Sequence, residues 1–268
     1  IVVNSEASGH AATAWNARGL SVCDIGLRVA SAALTVKRAT ALGARPFRQP
    51  LGPGELDIPA IHGLGGSVLH FLDDESGLSH VWDTEFEADA DGDGHEGHLS
   101  RVDHIAQTMN YEDMLSWALF FTSIFDMQKS PMLDVIDPDG LVRSQAVADK
   151  EGATRITLNG AESHRTLAGS FAARQFGSAV QHIAFATDDI FAAIDDLTGR
   201  GLELLPMPAN YYSDLITRFD IPDALLERLR AAHVVYDEEN GHAFFQAYAK
   251  PTAGGLFFEI VQRASGYD

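Results

Sequence analysis

A strand-and-helix segment of the sequence recurs at an offset of 158 residues, and this repeat limits the possible fold more than any other feature. In the first copy, Val22-Cys23-Asp24-Ile25-Gly26-Leu27-Arg28-Val29 alternates as a short strand. It leads into a helical stretch from Ala32 to Leu42 that ends at Gly43. In the second copy the strand is Val180-Gln181-His182-Ile183-Ala184-Phe185-Ala186-Thr187, followed by a helix from about Asp189 to Leu197 and then Gly201. Each glycine stands where a helix C-terminus needs a left-handed residue. A matching strand closes each copy, Gly66-Ser67-Val68-Leu69-His70-Phe71 in one and Gly255-Leu256-Phe257-Phe258-Glu259-Ile260 in the other. A strand-helix-strands unit present twice predicts tandem modules of one fold. Helices are too few for a continuous parallel βα wheel, so the predicted class is α+β, with curved, mainly β sheets and flanking helices.

The repeat also sets the expected boundaries. Residues 1–82 form an N-terminal module, 83–98 an acidic linker, and 99–268 a C-terminal module. Within the linker, Asp89-Ala90-Asp91-Gly92-Asp93-Gly94 matches the opening half of a calcium loop. The twelfth position, which needs a bidentate acid, is Ser100, so a solvated linker is the simpler reading. A strand is predicted from about Leu99 through Ala106, and an amphipathic helix from Tyr111 to about Phe125. The chain opens on Ile1-Val2-Val3, which reads as the interior of a strand, so further chain is expected upstream and the first module is expected to be truncated at its start.

Lysine and arginine total 19 against 38 aspartate and glutamate, a formal net charge of −19. Such a surface repels phosphate backbones and anionic lipids, so neither nucleic acid nor membrane is an expected partner. A small anionic substrate stays possible where a bound cation reverses the local field. The single cysteine, Cys23, excludes an internal disulfide and fits a reducing cytoplasm. It lies in an apolar run and reads as a structural thiol. No apolar run approaches the length of a membrane span.

Three residues carry candidate metal chemistry. His104 lies in Val102-Asp103-His104-Ile105-Ala106 and His182 in Val180-Gln181-His182-Ile183-Ala184, so a polar residue precedes each imidazole and Ile-Ala follows. Glu259 is a lone acid in Leu256-Phe257-Phe258-Glu259-Ile260-Val261, where an unpaired carboxylate is costly to desolvate. Two imidazoles and one carboxylate on one face leave coordination positions open, the pattern of non-haem Fe(II); Mg, Mn, Co or Zn also fit that donor set. His70 occupies the position in the first copy that Glu259 holds in the second, and Asp24 the position of His182. The first copy is nonetheless expected to be metal-free, because its counterpart to His104 would precede residue 1. His10, His62, His80, His95, His98, His164, His233 and His242 have no supporting pattern.

The segments Val180–Ala184, Pro208-Ala209-Asn210-Tyr211-Tyr212, Val235-Tyr236-Asp237-Glu238 and Leu256–Arg263 resemble the 4-hydroxyphenylpyruvate dioxygenase family of the vicinal oxygen chelate superfamily. The resemblance implies paired βαβββ modules and assigns His104, His182 and Glu259 as iron ligands and catalytic centre. It further implies that Ser144, Asn159, Gln181, Gln246 and Phe257 line a substrate pocket. The stretch Arg165–Phe171 has no glutamine where the family usually carries one, so an altered pocket is expected. A covering helix after the Glu259 strand would lie beyond Asp268. A narrower resemblance is to the C-terminal part of bacterial proteins that fuse a barrel, associated with 3-dehydroshikimate dehydratase activity, to a dioxygenase-like half.

Three functions follow as expectations. The first is a dioxygenase acting on a 2-oxo acid or related aromatic-pathway compound, with dioxygen as co-substrate. The second is a mainly structural or regulatory metal-binding half of a fused 3-dehydroshikimate dehydratase, a lyase of aromatic catabolism towards protocatechuate, with an upstream barrel as partner. The third is a lyase or isomerase using the metal as Lewis acid. Homo-oligomerisation is expected in each case.

Overall fold

A computed structural model describes residues 1–5, 8–87, 97–137 and 139–267. The calcium-like segment 89–94 and His95 lie outside the described residues. The chain groups into two compact units, one of Ile1–Gly94 with Gln107–Val180, the other of His95–Ala106 with Gln181–Asp268.

The first unit begins with α1 (Gly9–Arg18), then β1 (Asp24–Arg28), α2 (Ala32–Ala41), β2 (Pro46–Phe47), β3 (Ala60–His62), β4 (Val68–Leu72) and the single turn α3 (Val81–Thr84). Its sheet runs β1-β4-β3-β2, with β1 and β4 parallel and the other pairs antiparallel. Ile1, Val2 and Val3 are exposed and form no strand, contrary to the sequence reading. The helix α1 has no counterpart in the sequence reading. Its alanine-rich sequence buries no residue fully, so it carries no apolar stripe for periodicity to detect.

Next comes β5 (Leu99–Asn110), which starts in the second unit and ends in the first. It is followed by α4 (Tyr111–Ile124), β6 (Gln128–Lys129), β7 (Leu133–Asp137), β8 (Gly140–Ala148), β9 (Arg155–Ala161) and α5 (Leu167–Arg174). Here the strand order is β5-β9-β8-β6, with β7 also pairing β8. Met114, Ala118, Phe121 and Ile124 give α4 its buried stripe. A Cβ at Gly160 would lie 2.9 Å from Met114 Sδ and 3.1 Å from Tyr111 Cα, so only glycine lets β9 pass this close to α4.

The second unit continues from Gln181 with the rest of β10 (Ala179–Thr187), then α6 (Ile190–Gly199), α7 (Ala209–Arg218), α8 (Asp223–Ala231), β11 (Val235–Glu239), β12 (His242–Tyr248) and β13 (Phe257–Arg263). Its strands run β11-β12-β13-β10-β5. The core between helices and sheet is built from Ile190, Ile194, Tyr212, Leu215, Leu229 and Ile260.

The 158-residue repeat is a repeat of structure down to single hydrogen bonds. In one copy β1 pairs parallel with β4, Asp24 opposite Val68; in the other β10 pairs parallel with β13, His182 opposite Phe257. Gly43 and Gly201 both have positive φ, +94° and +97°. Just past them, Ala44 N–H donates to Ala39 O and Leu202 N–H to Leu197 O, both at 2.9 Å, closing the two helices alike. At the helix starts, Asp73 Oδ2 accepts from Ala32 N–H at 2.6 Å, and Gln262 Oε1 accepts from Ile190 N–H at 2.9 Å. Each helix is thereby tied to the end of its module's last strand, by the residue after β4 in one and by a residue of β13 in the other. The strand-helix-strands run also occurs a third time, as β5-α4-β7-β8-β9, so residues 99–268 contain two such runs. This is an α+β, βαβββ architecture of mixed, curled sheets with flanking helices. Among the described residues no helix is long and apolar enough to cross a membrane.

Candidate metal centre

His104, His182 and Glu259 converge within the second unit, from three neighbouring strands. His104 projects from β5 and His182 from β10, at the same point of the shared Val-x-His-Ile-Ala pattern. Glu259 stands on β13, two residues beyond the partner of His182 in the parallel register. Strand alternation sends all three to one face. His104 Nε2 is 3.3 Å from His182 Nε2, and each of these nitrogens is 3.3 Å from Glu259 Oε2. A triangle with this edge places an ion at roughly 2.0 Å from each donor in tetrahedral geometry and roughly 2.3 Å in octahedral geometry. That is ligand distance for a divalent metal, and the donor set could hold one.

Each donor is held by a further residue. Asp103 Oδ1 accepts from Nδ1 of His104 at 2.8 Å, which leaves Nε2 free to ligate. Arg263 in turn grips Asp103, with Nη2 3.0 Å from Oδ1 and Nε 3.1 Å from Oδ2. Its guanidinium lies over the ring of Phe244, 4.3 Å from the centroid. Gln246 Nε2 donates to Glu259 Oε1 at 3.0 Å, so Oε2 is the oxygen turned to the histidines. Phe257 stacks on the His182 ring, centroids 4.8 Å apart and planes 30° apart. Among the described residues, the buried His182 Nδ1 has no hydrogen-bond partner.

Glu259 is 2% exposed, and burial alone would raise its carboxyl pKa. The hydrogen bonds and charge of His104 and His182 outweigh that and bring it down to about 2. Burial likewise opposes ionisation of Asp103, but His104 and Arg263 hold its carboxyl well below the usual range. Burial lowers the His104 pKa, whereas Asp103 and Glu259 raise it, with a net upward shift. Tyr248, the cross-strand partner of Glu259, has its phenol pushed well above the ordinary value by burial and the adjacent carboxylate. Glu259 is therefore held ionised beside the two imidazoles, and the three donors form a pre-arranged cation receptor.

The other sequence-derived residues divide between the units. Gln181, Gln246 and Phe257 share the second unit with the triad. Ser144 and Asn159 belong to the first, where they face each other across β8 and β9. Sequence reading missed the roles of Arg263 and Tyr248. Asp103 had a visible signal, a polar residue directly before the histidine, whereas Arg263 reaches it across 160 positions of sequence.

Two histidines and a carboxylate on the strands of βαβββ modules define a class of metal-site protein, and the comparisons with known proteins agree with it. Residues 101–244 match the family model of the glyoxalase/bleomycin resistance protein/dioxygenase superfamily, and residues 1–87 match that of the N-terminal part of hydroxyphenylpyruvate dioxygenase. A 4-hydroxyphenylpyruvate dioxygenase of Legionella pneumophila is 30% identical over 96% of this chain and 73% of its own length. A 3-dehydroshikimate dehydratase of Pseudomonas putida is 37% identical over all of this chain, which spans 42% of the length of that relative. A solved structure described as a xylose isomerase-like TIM barrel/4-hydroxyphenylpyruvate dioxygenase fusion protein superposes with a TM-score of 0.80 at 36% identity, over 99% of this chain and 42% of its own. The chain belongs to the 4-hydroxyphenylpyruvate dioxygenase family of the vicinal oxygen chelate enzymes.

Proposed function

We propose that the chain is a non-haem iron(II) dioxygenase-like domain acting on a 2-oxo acid or a related aromatic-pathway compound, with His104, His182 and Glu259 as the metal ligands. The observation that carries this reading is the 3.3 Å triangle of two imidazole nitrogens and one carboxylate oxygen. When bound, Fe(II) supplies redox chemistry with dioxygen and Lewis-acid activation of a 2-oxo acid, and this donor set leaves it the open positions for both.

The chain's own residues set the conditions for that chemistry. Glu259 stays ionised in a buried setting and offsets part of the cation's charge. Asp103 keeps the proton of His104 on Nδ1, so that the Nε2 lone pair points into the site. Gln246 fixes which oxygen of Glu259 is presented. Phe257 covers the His182 ring and bars water from that side. Gln181 and Gln246 are proposed to meet the polar groups of the substrate, and Ser144 and Asn159 are proposed as further substrate contacts. A small anion is the expected ligand, because the cation outweighs the acidic surface only within the site.

A second reading is that the chain is the metal-binding half of a fused 3-dehydroshikimate dehydratase, a lyase in which an upstream barrel performs the dehydration. The similarity to the Pseudomonas putida dehydratase, matched over 42% of its length, favours it. On either reading we take the working protein to be a cytoplasmic homo-oligomer, which light scattering of the purified chain tests. The deciding experiment loads the metal-free chain with Fe(II) and follows oxygen uptake and carbon dioxide release with several 2-oxo acids. Uptake that disappears in Glu259→Ala supports the oxygenase. Bound metal without uptake on any 2-oxo acid removes that reading in favour of the lyase half or of Lewis-acid chemistry.

A further inference from the structure

A second group of ligand-type side chains lies in the first unit, around Asp24. Its atoms are contributed by α1, by the residue just before β1, by β1 itself and by β4. His10 Nε2, Cys23 Sγ and an Asp24 carboxylate oxygen all lie within 4.8 Å of one another. His10 Nε2 is 4.0 Å from Asp24 Oδ1, and His70 Nε2 is 2.9 Å from the same oxygen. The His10 and His70 side chains are about four-fifths buried, while Asp24 is 38% exposed, which leaves one side open to solvent. Phe47 walls the other side, edge-on to His10 at 5.2 Å and to His70 at 6.3 Å.

These positions are not arbitrary within the repeat. Asp24 is opposite Val68 in the parallel register and His70 lies two residues further along β4. His182 is opposite Phe257 and Glu259 lies two residues further along β13. The first module therefore carries the same acid–imidazole pair at the same two sheet positions, with the residue types exchanged between strands. Where the second unit takes its third donor from β5, the first offers His10 from α1 and Cys23 from the residue before Asp24.

We propose that His10, Cys23 and Asp24 form a second divalent cation site, for a borderline ion such as Zn²⁺, with His70 orienting the Asp24 carboxylate. Imidazole, thiolate and carboxylate together are the donor types that such an ion selects. Tetrahedral donors around Zn²⁺ stand roughly 3.3–3.8 Å apart, so closing on the ion requires shifts of about 1 Å or less. Binding also moves the His10 proton from Nε2, which now donates to Cys23 O at 3.2 Å, to Nδ1, and releases the Cys23 thiol proton to solvent. The exposed Asp24 provides the open side by which the ion enters. Its function is to bind α1 to the sheet, since His10 is the donor that α1 supplies.

The test is titration of the metal-stripped chain with Co²⁺, reading stoichiometry by calorimetry and thiolate-to-cobalt charge transfer by absorption. The expected result is two ions per chain, one of them giving the thiolate band. Glu259→Gln should lose one ion and keep the band. Cys23→Ser should lose the band, and His10→Ala should weaken that same ion by at least about tenfold while leaving the other unchanged. No residue of α1 is fully buried, so His10→Ala is expected to keep the fold even if Cys23→Ser does not. One ion per chain with no thiolate band overturns the proposal, as does a second ion whose affinity His10→Ala leaves unchanged. Because the Glu259→Gln and His10→Ala arms remove different ions, failure here is distinguishable from failure of the catalytic reading.

Discussion

Arg263 holds Asp103 in a two-pronged ion pair, Nη2 to Oδ1 at 3.0 Å and Nε to Oδ2 at 3.1 Å, directly behind the histidine that Asp103 orients. Arg263 touches none of the three donors. Its influence reaches the metal site through the carboxylate that fixes the His104 ring.

Asp103→Asn should therefore keep the ligands and weaken the metal by about 10- to 100-fold, the usual effect of losing such a support. Arg263→Met strands a buried carboxylate and should cost about 3 kcal/mol of stability as well. Calorimetric metal titration and urea unfolding check the two effects. Unchanged metal affinity in Asp103→Asn would show that His104 is held by packing alone.

The metal-free chain should be acid-labile because of Glu259. Its pKa is lowered from 4.5 to about 2 on folding, so the folded state binds fewer protons than the unfolded one across that interval. The stabilisation is complete above the unfolded value and is lost as pH falls towards about 2. Asp103, shifted in the same direction, adds to this acid limb. The raised pKa of His104 works the other way, with a contribution present below its ordinary value and lost as pH rises through the folded one. Urea midpoints against pH, measured with a chelator, should show a flatter acid limb in Glu259→Gln. An unaltered limb in that variant rules out Glu259 as its source.

Gln246→Glu sets a second carboxylate about where Gln246 now donates to Glu259 at 3.0 Å. Two adjacent acids, Glu259 buried and residue 246 half-buried, repel, so the metal-free variant should lose about 2 kcal/mol or more at neutral pH. A divalent ion should restore most of it, since binding only the folded state is stabilising. Thermal unfolding with and without metal gives the comparison, and a variant insensitive to metal contradicts it.

Gly65 and Gly43 both have positive φ but differ in what a side chain would meet. At Gly65, φ +64°, a Cβ would overlap the carbonyl oxygen of Ser178, whereas at Gly43, φ +94°, none of the described residues lies within 4 Å. Gly43→Ala should cost about 1 kcal/mol, the backbone penalty alone. Gly65→Ala should cost about 3 kcal/mol or more, because backbone must move as well. Denaturant unfolding of the two variants tests the difference, and equal costs would mean that the Gly65 turn yields freely.

Much of the architecture is legible in the sequence. Repeats show in sequence because each copy solves the same local problem: a β-branched strand, a capped helix start at Ser31 or Asp189, and a glycine at Gly43 or Gly201 for the left-handed exit. What stayed hidden was α1, which lacks an apolar stripe, and the third strand-helix-strands run, whose β7 is largely exposed and whose β8 and β9 carry polar positions. The support of the site was hidden as well. Arg263 closes on Asp103, and Gln246 on Glu259, through strand neighbours that no local pattern announces.

By itself the sequence determined the kinds of donor and the strands that carry them, because a lone acid in an apolar strand and two histidines in one repeated pattern are local facts. Only the tertiary structure decided that these donors meet. Strand order and register bring β5, β10 and β13 side by side, and a slip of one residue in any of them would turn its ligand to the opposite face. The first copy shows the same dependence on the fold. Read along the chain, Asp24 and His70 lacked a third donor and His10 had no pattern; folded, α1 lays His10 beside Cys23 and Asp24. Side chains distant in sequence become a site only when sheet register and helix docking set their spacing, and that spacing is a property of the fold.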